Sequence, residues 1–154
     1  MESISIHILM HDVYDEVAKA TDYTGSRLVD ADAHTRDRIL MGDAEQSDLR
    51  RFWEEAVLGV NENFKEMLLS GATVSVEQGD AYEAVLEVSK SFDKLLTSSI
   101  QSVIRSYFIS VIIGQWFKLA NKAEAADYFA QGTEALEAAE RMLYSRKKPK
   151  LPSS

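Results

Sequence analysis

Apolar positions recur along most of the chain at three- and four-residue steps, the spacing of helices that bury one face. Over residues 6–22 that spacing is kept by Ile8, Val13 or Tyr14, and Val17, and predicts a first helix. Tyr23-Thr24-Gly25-Ser26 is expected to end it, since glycine supplies the left-handed conformation favoured past a helix terminus. Residues 26–43 are polar and irregular, with one helical turn expected around 35–40. A second helix opens at Asp43, where Asp43 and Gln46 have the reciprocal spacing of a capping box. Leu49, Phe52 or Trp53, Ala56, Val60, Phe64, Met67 and Leu68 carry its stripe, and Gly71 is the expected stop.

The period then changes. Thr73-Val74-Ser75-Val76-Glu77 alternates at every second residue and is rich in β-branched side chains. After Gln78-Gly79-Asp80-Ala81, Leu86 and Val88 again stand two apart. The segment 73–89 is therefore read as a β-hairpin over a four-residue turn. A rival reading makes Asp80 an N-cap with Glu83 three residues on, and fits Tyr82, Val85, Leu86, Ser89 and Phe92 to a helical stripe. Ser89-Lys90-Ser91 looks like a break, which favours the hairpin.

From Asp93 onward helices return. Leu96, Ile100, Val103, Ile104, Tyr107, Phe108, Val111, Ile112, Trp116 and Leu119 form a wide apolar face. Near Gly114 the pattern becomes apolar on nearly all sides, so this half is expected at the centre of the fold or against another subunit. After a short break at Asn121-Lys122, a last helix follows Ala126, Phe129, Thr133, Leu136, Ala139 and Leu143. The expected fold is mainly α: a bundle of four principal helices with a hairpin at 73–89. Residues 1–145 form one helical domain with that hairpin inserted, and 146–154 an extended basic C-terminal tail.

Composition narrows the function. The 154 residues hold 17 Lys plus Arg against 25 Asp plus Glu, a net charge of −8. That balance argues against a protein that coats nucleic acid, which needs a basic face to displace counterions. With no cysteine there is no disulfide, thiolate metal site or cysteine nucleophile. The first residues lack a basic leader region and meet Asp12 and Asp15 early, unlike a signal peptide. The most apolar run, 107–119, contains Ser110, Gln115 and Lys118 and is read as short of the about 20 residues a membrane span needs. The expected setting is the cytosol or a particle assembled there, with no membrane partner.

Candidate chemistry is sparse. On a helix, His7, His11 and Asp15 would share one face at zinc-chelating spacing, but Ile8 stands where a zinc protease has its glutamate. Asp30-Ala31-Asp32-Ala33-His34 opens like a calcium loop, yet Thr35 and Met41 replace the glycine and glutamate such a loop requires. No nucleophile elbow, phosphate-binding glycine loop or dinucleotide fingerprint occurs. No catalytic, cofactor-binding or metal-ligating residue is assigned, no cofactor is expected, and the protein is read as a non-enzyme. Trp53, Phe64, Tyr107, Phe108, Trp116, Phe117, Tyr128 and Phe129 are read as core, or core plus an oligomer contact.

The C-terminus is where charge separates. Arg141, Arg146, Lys147, Lys148 and Lys150 follow the last acid, Glu140, so residues 1–140 hold 12 cations against 25 acids, a net −13. Cations at a helix C-terminus complement its dipole, which accounts for Arg146 and Lys147. The continuation through Lys148-Pro149-Lys150-Leu151-Pro152 suits docking on an acidic or groove-like protein surface. Arg146, Lys147, Lys148, Lys150 and Leu151 are thus the expected docking residues. Val74, Val76, Leu86 and Val88 of the hairpin, with Trp116 and Phe117 of the apolar helix, are the expected subunit or partner contacts.

The order of these features resembles the head–tail connector (adaptor, or neck) proteins of tailed bacteriophages and prophages. The resemblance is carried by Glu16-Val17-Ala18 with Tyr23-Thr24-Gly25, and by Asp48-Leu49 leading into Phe52-Trp53-Glu54-Glu55-Ala56. Further on are Ser91-Phe92-Asp93, Tyr107-Phe108-Ile109, Gln115-Trp116-Phe117 and Leu143-Tyr144-Ser145-Arg146-Lys147-Lys148-Pro149. It implies a virion structural protein assembled in the bacterial cytoplasm, forming a homo-oligomeric ring beneath the portal. It also implies a tail docking on the portal, contact with the next neck or tail component, and DNA passing through the ring without specific binding. The polar segment 26–43 has no place in that plan. The alternative from another class is a cytosolic helical protein-binding module or chaperone-like adaptor.

Overall fold

A computed structural model describes residues 2–28, 43–118 and 122–146, with the backbone alone at 22–28 and 43–46. Strand β1 (Glu2–Leu9) comes first and alternates cleanly: Ile4, Ile6 and Ile8 are buried, while Ser3, Ser5 and His7 face out. This corrects the expected helix from residue 6. Isoleucines at every second position fit a pleated strand with one covered face. The helical spacing starts only at Met10, and α1 (Met10–Leu28) buries Met10, Val13 and Val17. Its backbone stays helical through Leu28, past the stop expected at residue 25. The polar segment 29–42 lies outside the described residues.

Helix α2 (Asp43–Asn63) buries Leu49, Phe52, Trp53, Ala56, Val57 and Val60. It ends earlier than its stripe suggested. Phe64 still bonds back to Val60 (3.1 Å), and Met67 then bonds to Phe64 in a tight turn (3.0 Å). Beyond it, a later strand, β3 (Gly79–Val88), competes for the backbone: the Glu87 amide donates to the Met67 carbonyl (2.7 Å), and Leu68 aligns with Leu86. Leu68 and Gly71 are therefore strand residues.

Strands β2 (Leu68–Val76) and β3 (Gly79–Val88) form the expected hairpin, longer than 73–89 on its first arm. The turn is Glu77-Gln78, one step before the expected place, and Val76 aligns with Gly79. Gly79 has φ of +108°, a conformation that L side chains rarely adopt, and so fixes where the chain reverses. The hairpin is no insertion. Its second arm is the central strand of a three-stranded antiparallel sheet ordered β1-β3-β2, with Ile4, Ile6 and Ile8 opposite Leu86, Ala84 and Tyr82.

The break at Ser89-Lys90-Ser91 stands, with the Phe92 amide donating to the Ser89 carbonyl (3.0 Å). A short 3-10 turn, Lys94–Leu96, follows, capped by the Asp93 carboxylate on the Leu95 amide (3.1 Å). Helix α3 (Thr97–Phe117) buries eight residues, among them Ile100, Ile104, Phe108 and Ile112. The stretch Lys94–Phe117, longer than the run 107–119, is by length and composition apolar enough to cross a membrane, a property that core helices share. Helix α4 (Lys122–Leu143) packs along α3. A Cβ on Gly114 would stand 2.9 Å from the Phe129 ring, and one on Gly132 2.8 Å from Val111, so each helix offers a glycine to the other.

Among the described residues the fold is thus four helices with one small antiparallel sheet, and not a helical bundle alone. Trp53, Phe108 and Tyr82 meet where α2, α3 and the sheet converge, at ring separations of 4.6 Å (Trp53–Phe108) and 5.4 Å (Tyr82–Phe108).

Candidate docking surface

Burial sorts the expected contact residues. Leu86, Val88 and Phe117 are buried in this chain's own core, and so offer no surface to a partner. The reason is register. Leu86 and Val88 share the inner face of β3 with Ala84 and Tyr82, against the helices, while Phe117 stacks on Tyr128 of α4 (5.9 Å). Trp116 is half-buried, its ring edge-on to Phe52 at 6.4 Å. Val74 and Val76 are half-buried on the opposite face of the sheet, next to Ala81 and Gly79 in register. They remain available.

The histidines do not form the metal face that a helix would give. His7 projects from β1, and its Nδ1 lies 3.1 Å from Glu83 on the neighbouring strand. Its backbone amide donates to Gln101 of α3 (2.9 Å), which closes part of the open β1 edge. His11 instead lies on α1 beside Asp15 (3.4 Å). Asp30-Ala31-Asp32-Ala33-His34 lies outside the described residues.

One end of the molecule carries a cleft that sequence spacing did not show. The end of α4, the turn after α2 and the end of β3 enclose about 330 Å³, lined by Glu66, Met67, Glu87, Leu143, Tyr144 and Arg146 among others. A smaller hollow of about 170 Å³ adjoins it and adds Glu62, Lys65 and Glu140. Glu66, Met67 and Tyr144 line both. Glu62 is engaged by Lys65 at 3.1 Å, whereas Glu66, Glu87 and Glu140 make no ion pair among the described residues. These acids come from three elements far apart in sequence, so only the fold assembles them.

The expected docking tail begins here. Arg146 is exposed on the cleft wall, and its backbone bridges antiparallel to Phe92. Lys147, Lys148, Lys150 and Leu151 lie outside the described residues.

At the opposite, hairpin end a second polar group is built around Asp80. Arg50 pairs with both Asp80 and Glu54, and the Ser75 hydroxyl donates to Asp80 (3.1 Å). Hydrogen bonds from Arg50 and Ser75 hold the Asp80 carboxyl below the usual carboxylate range. Nearby Tyr14 is pushed up to about 12 by burial, and its buried hydroxyl has no hydrogen-bond partner among the described residues.

Large apolar side chains also stand in the open: Leu95 is 87% exposed, Leu58 68% and Leu69 59%. The sequence reading did not single these out, because each falls within or beside a stripe that is otherwise buried. The chain matches no known family model, no curated protein and no solved structure.

Proposed function

We propose that this chain is a non-enzymatic structural protein of a virus particle, a head–tail connector of a tailed bacteriophage or prophage. Copies associate into a ring between the portal and the next neck or tail component, and the basic C-terminal segment docks on a neighbour. The observation that carries the reading is the exposure of Leu95, Leu58 and Leu69 on three different elements, apolar surface that contact between copies would remove from water. A ring needs two unlike surfaces on each copy, and apolar residues spread over α2, β2 and the 3-10 turn supply material for both. The layout resemblance supplies the particular assembly. The acidic body suits a ring through which DNA passes, since like charge keeps the duplex from adhering.

The reading requires a portal gene nearby; electron microscopy of that portal protein, alone and mixed with the purified chain, tests it. Added ring density on one end of the portal is the expected result. Unchanged portal particles would count against it, and a monomer or dimer that captures other proteins would favour a protein-binding module.

A further inference from the structure

We infer that the acidic cleft at the end of α4 is the seat of the chain's own basic segment, residues 147–151, which it holds in place until a partner takes it. Glu66, Glu87 and Glu140 present three carboxylates with no cation partner among the described residues. The segment that leaves the cleft wall at Arg146 carries Lys147, Lys148 and Lys150 with no acid after them. Charge on one side is thus matched by charge on the other.

The shapes also agree. Met67 and Leu143 give the cleft an apolar floor, and Tyr144, 61% exposed, stands between its two lobes. A tyrosine ring flanked by carboxylates accepts lysine stems, whose methylenes cover apolar surface while the ammonium reaches an acid. Leu151 supplies one apolar side chain for the floor, and Pro149 limits the chain entropy lost on seating.

Chain continuity selects the occupant. At Arg146 the backbone has left α4 and pairs with Phe92, so the segment starts inside the cleft mouth. The five residues 147–151 span at most about 18 Å, which keeps them close to the cleft whose wall Arg146 forms. A tether this short sets an effective concentration of order millimolar, which outcompetes the same segment of a second copy at ordinary concentrations. A partner that binds the basic segment must therefore displace it from its own glutamates. This goes beyond the ring reading and stands without it.

The absence of cysteine makes the test simple. A nitroxide attached to the full chain at Ser153→Cys should broaden the amide signals of Glu66, Met67 and Glu87 at about 0.05 M salt. The loss of intensity should disappear at about 0.5 M salt, where screening is short-ranged. Glu66→Gln/Glu87→Gln should abolish it at low salt while leaving the rest of the spectrum in place. Unbroadened signals at low salt would overturn the proposal. So would broadening that appears only when spin-labelled chains are mixed with isotope-labelled ones, because that places the segment on a second copy. Neither outcome depends on whether rings form.

Discussion

The indole Nε1 of Trp53 donates to the hydroxyl of Thr73 across 2.9 Å. Trp53 is fully buried on α2, and Thr73 lies on β2, twenty residues later. The bond joins the helical layer to the sheet, and Tyr14 of α1 closes edge-on against the same indole at 6.3 Å. Three elements are located by one side chain.

Thr73→Val should therefore cost about 1–3 kcal/mol, because the isosteric valine leaves a buried indole N–H without an acceptor. Thr73→Ser keeps the acceptor and should lose less. Urea midpoints at constant slope measure both.

Two tyrosines should respond oppositely to loss of their hydroxyls. Tyr82 donates to Asn61 Oδ1 (2.7 Å), so Tyr82→Phe should destabilise by about 1 kcal/mol. The buried Tyr14 hydroxyl has no partner among the described residues, so Tyr14→Phe should be neutral or stabilising by up to about 1 kcal/mol. Thermal unfolding of the pair checks the sign.

The same groups set the alkaline limit. Burial raises Tyr14 from 10.0 to about 12 and pushes Tyr82 up further. Above the unfolded value, the unfolded chain gives up these protons while the folded chain keeps them. Stability is then intact below pH 10.0 and falls as pH rises toward about 12. Tyr14→Phe should flatten the slope of stability against pH in that window. An unchanged slope would show that Tyr14 does not contribute.

Asp80 sets a weaker acid-side dependence of the opposite sign. Its carboxyl is held low by Arg50 and Ser75, so its contribution is present above the unfolded value, about 3.9, and is lost as pH falls through the folded one. Asp80→Asn should remove that part of the acid response, read from urea midpoints between about pH 5 and pH 2.

Much of this architecture is legible in residue order. Helices α3 and α4 follow their apolar stripes closely, because each packs one long face on the other. The hairpin is legible from β-branched alternation and Gly79. Strand β1 is less so, since Ile8 also joins the spacing of Val13 and Val17, and pairing with β3 fixes the alternation of Ile4, Ile6 and Ile8 as a strand. The early end of α2 is hidden for a related reason: Leu68 continues a helical stripe yet aligns with Leu86 eighteen residues later. The basic segment is visible as composition, but its acidic counterpart is not. Glu66, Glu87 and Glu140 read as solvated helix and strand positions until the fold brings them to one cleft.

Close packing of α3 on α4 gives a further check. Gly114→Ala sets a methyl 2.9 Å from the Phe129 ring, and the required shift should outweigh the helix propensity gained. A net loss of about 1–2 kcal/mol is expected. Phe129→Leu in the same chain should return part of it, as calorimetry of the single and double variants would show.

The most direct measurement for the account as a whole is native mass spectrometry of the purified chain over rising concentration, alone and with the portal protein on which the proposed ring would sit. The account predicts a closed species of fixed copy number that Leu95→Glu shifts back toward monomer. A single monomeric mass at every concentration, with the portal present or absent, would contradict it.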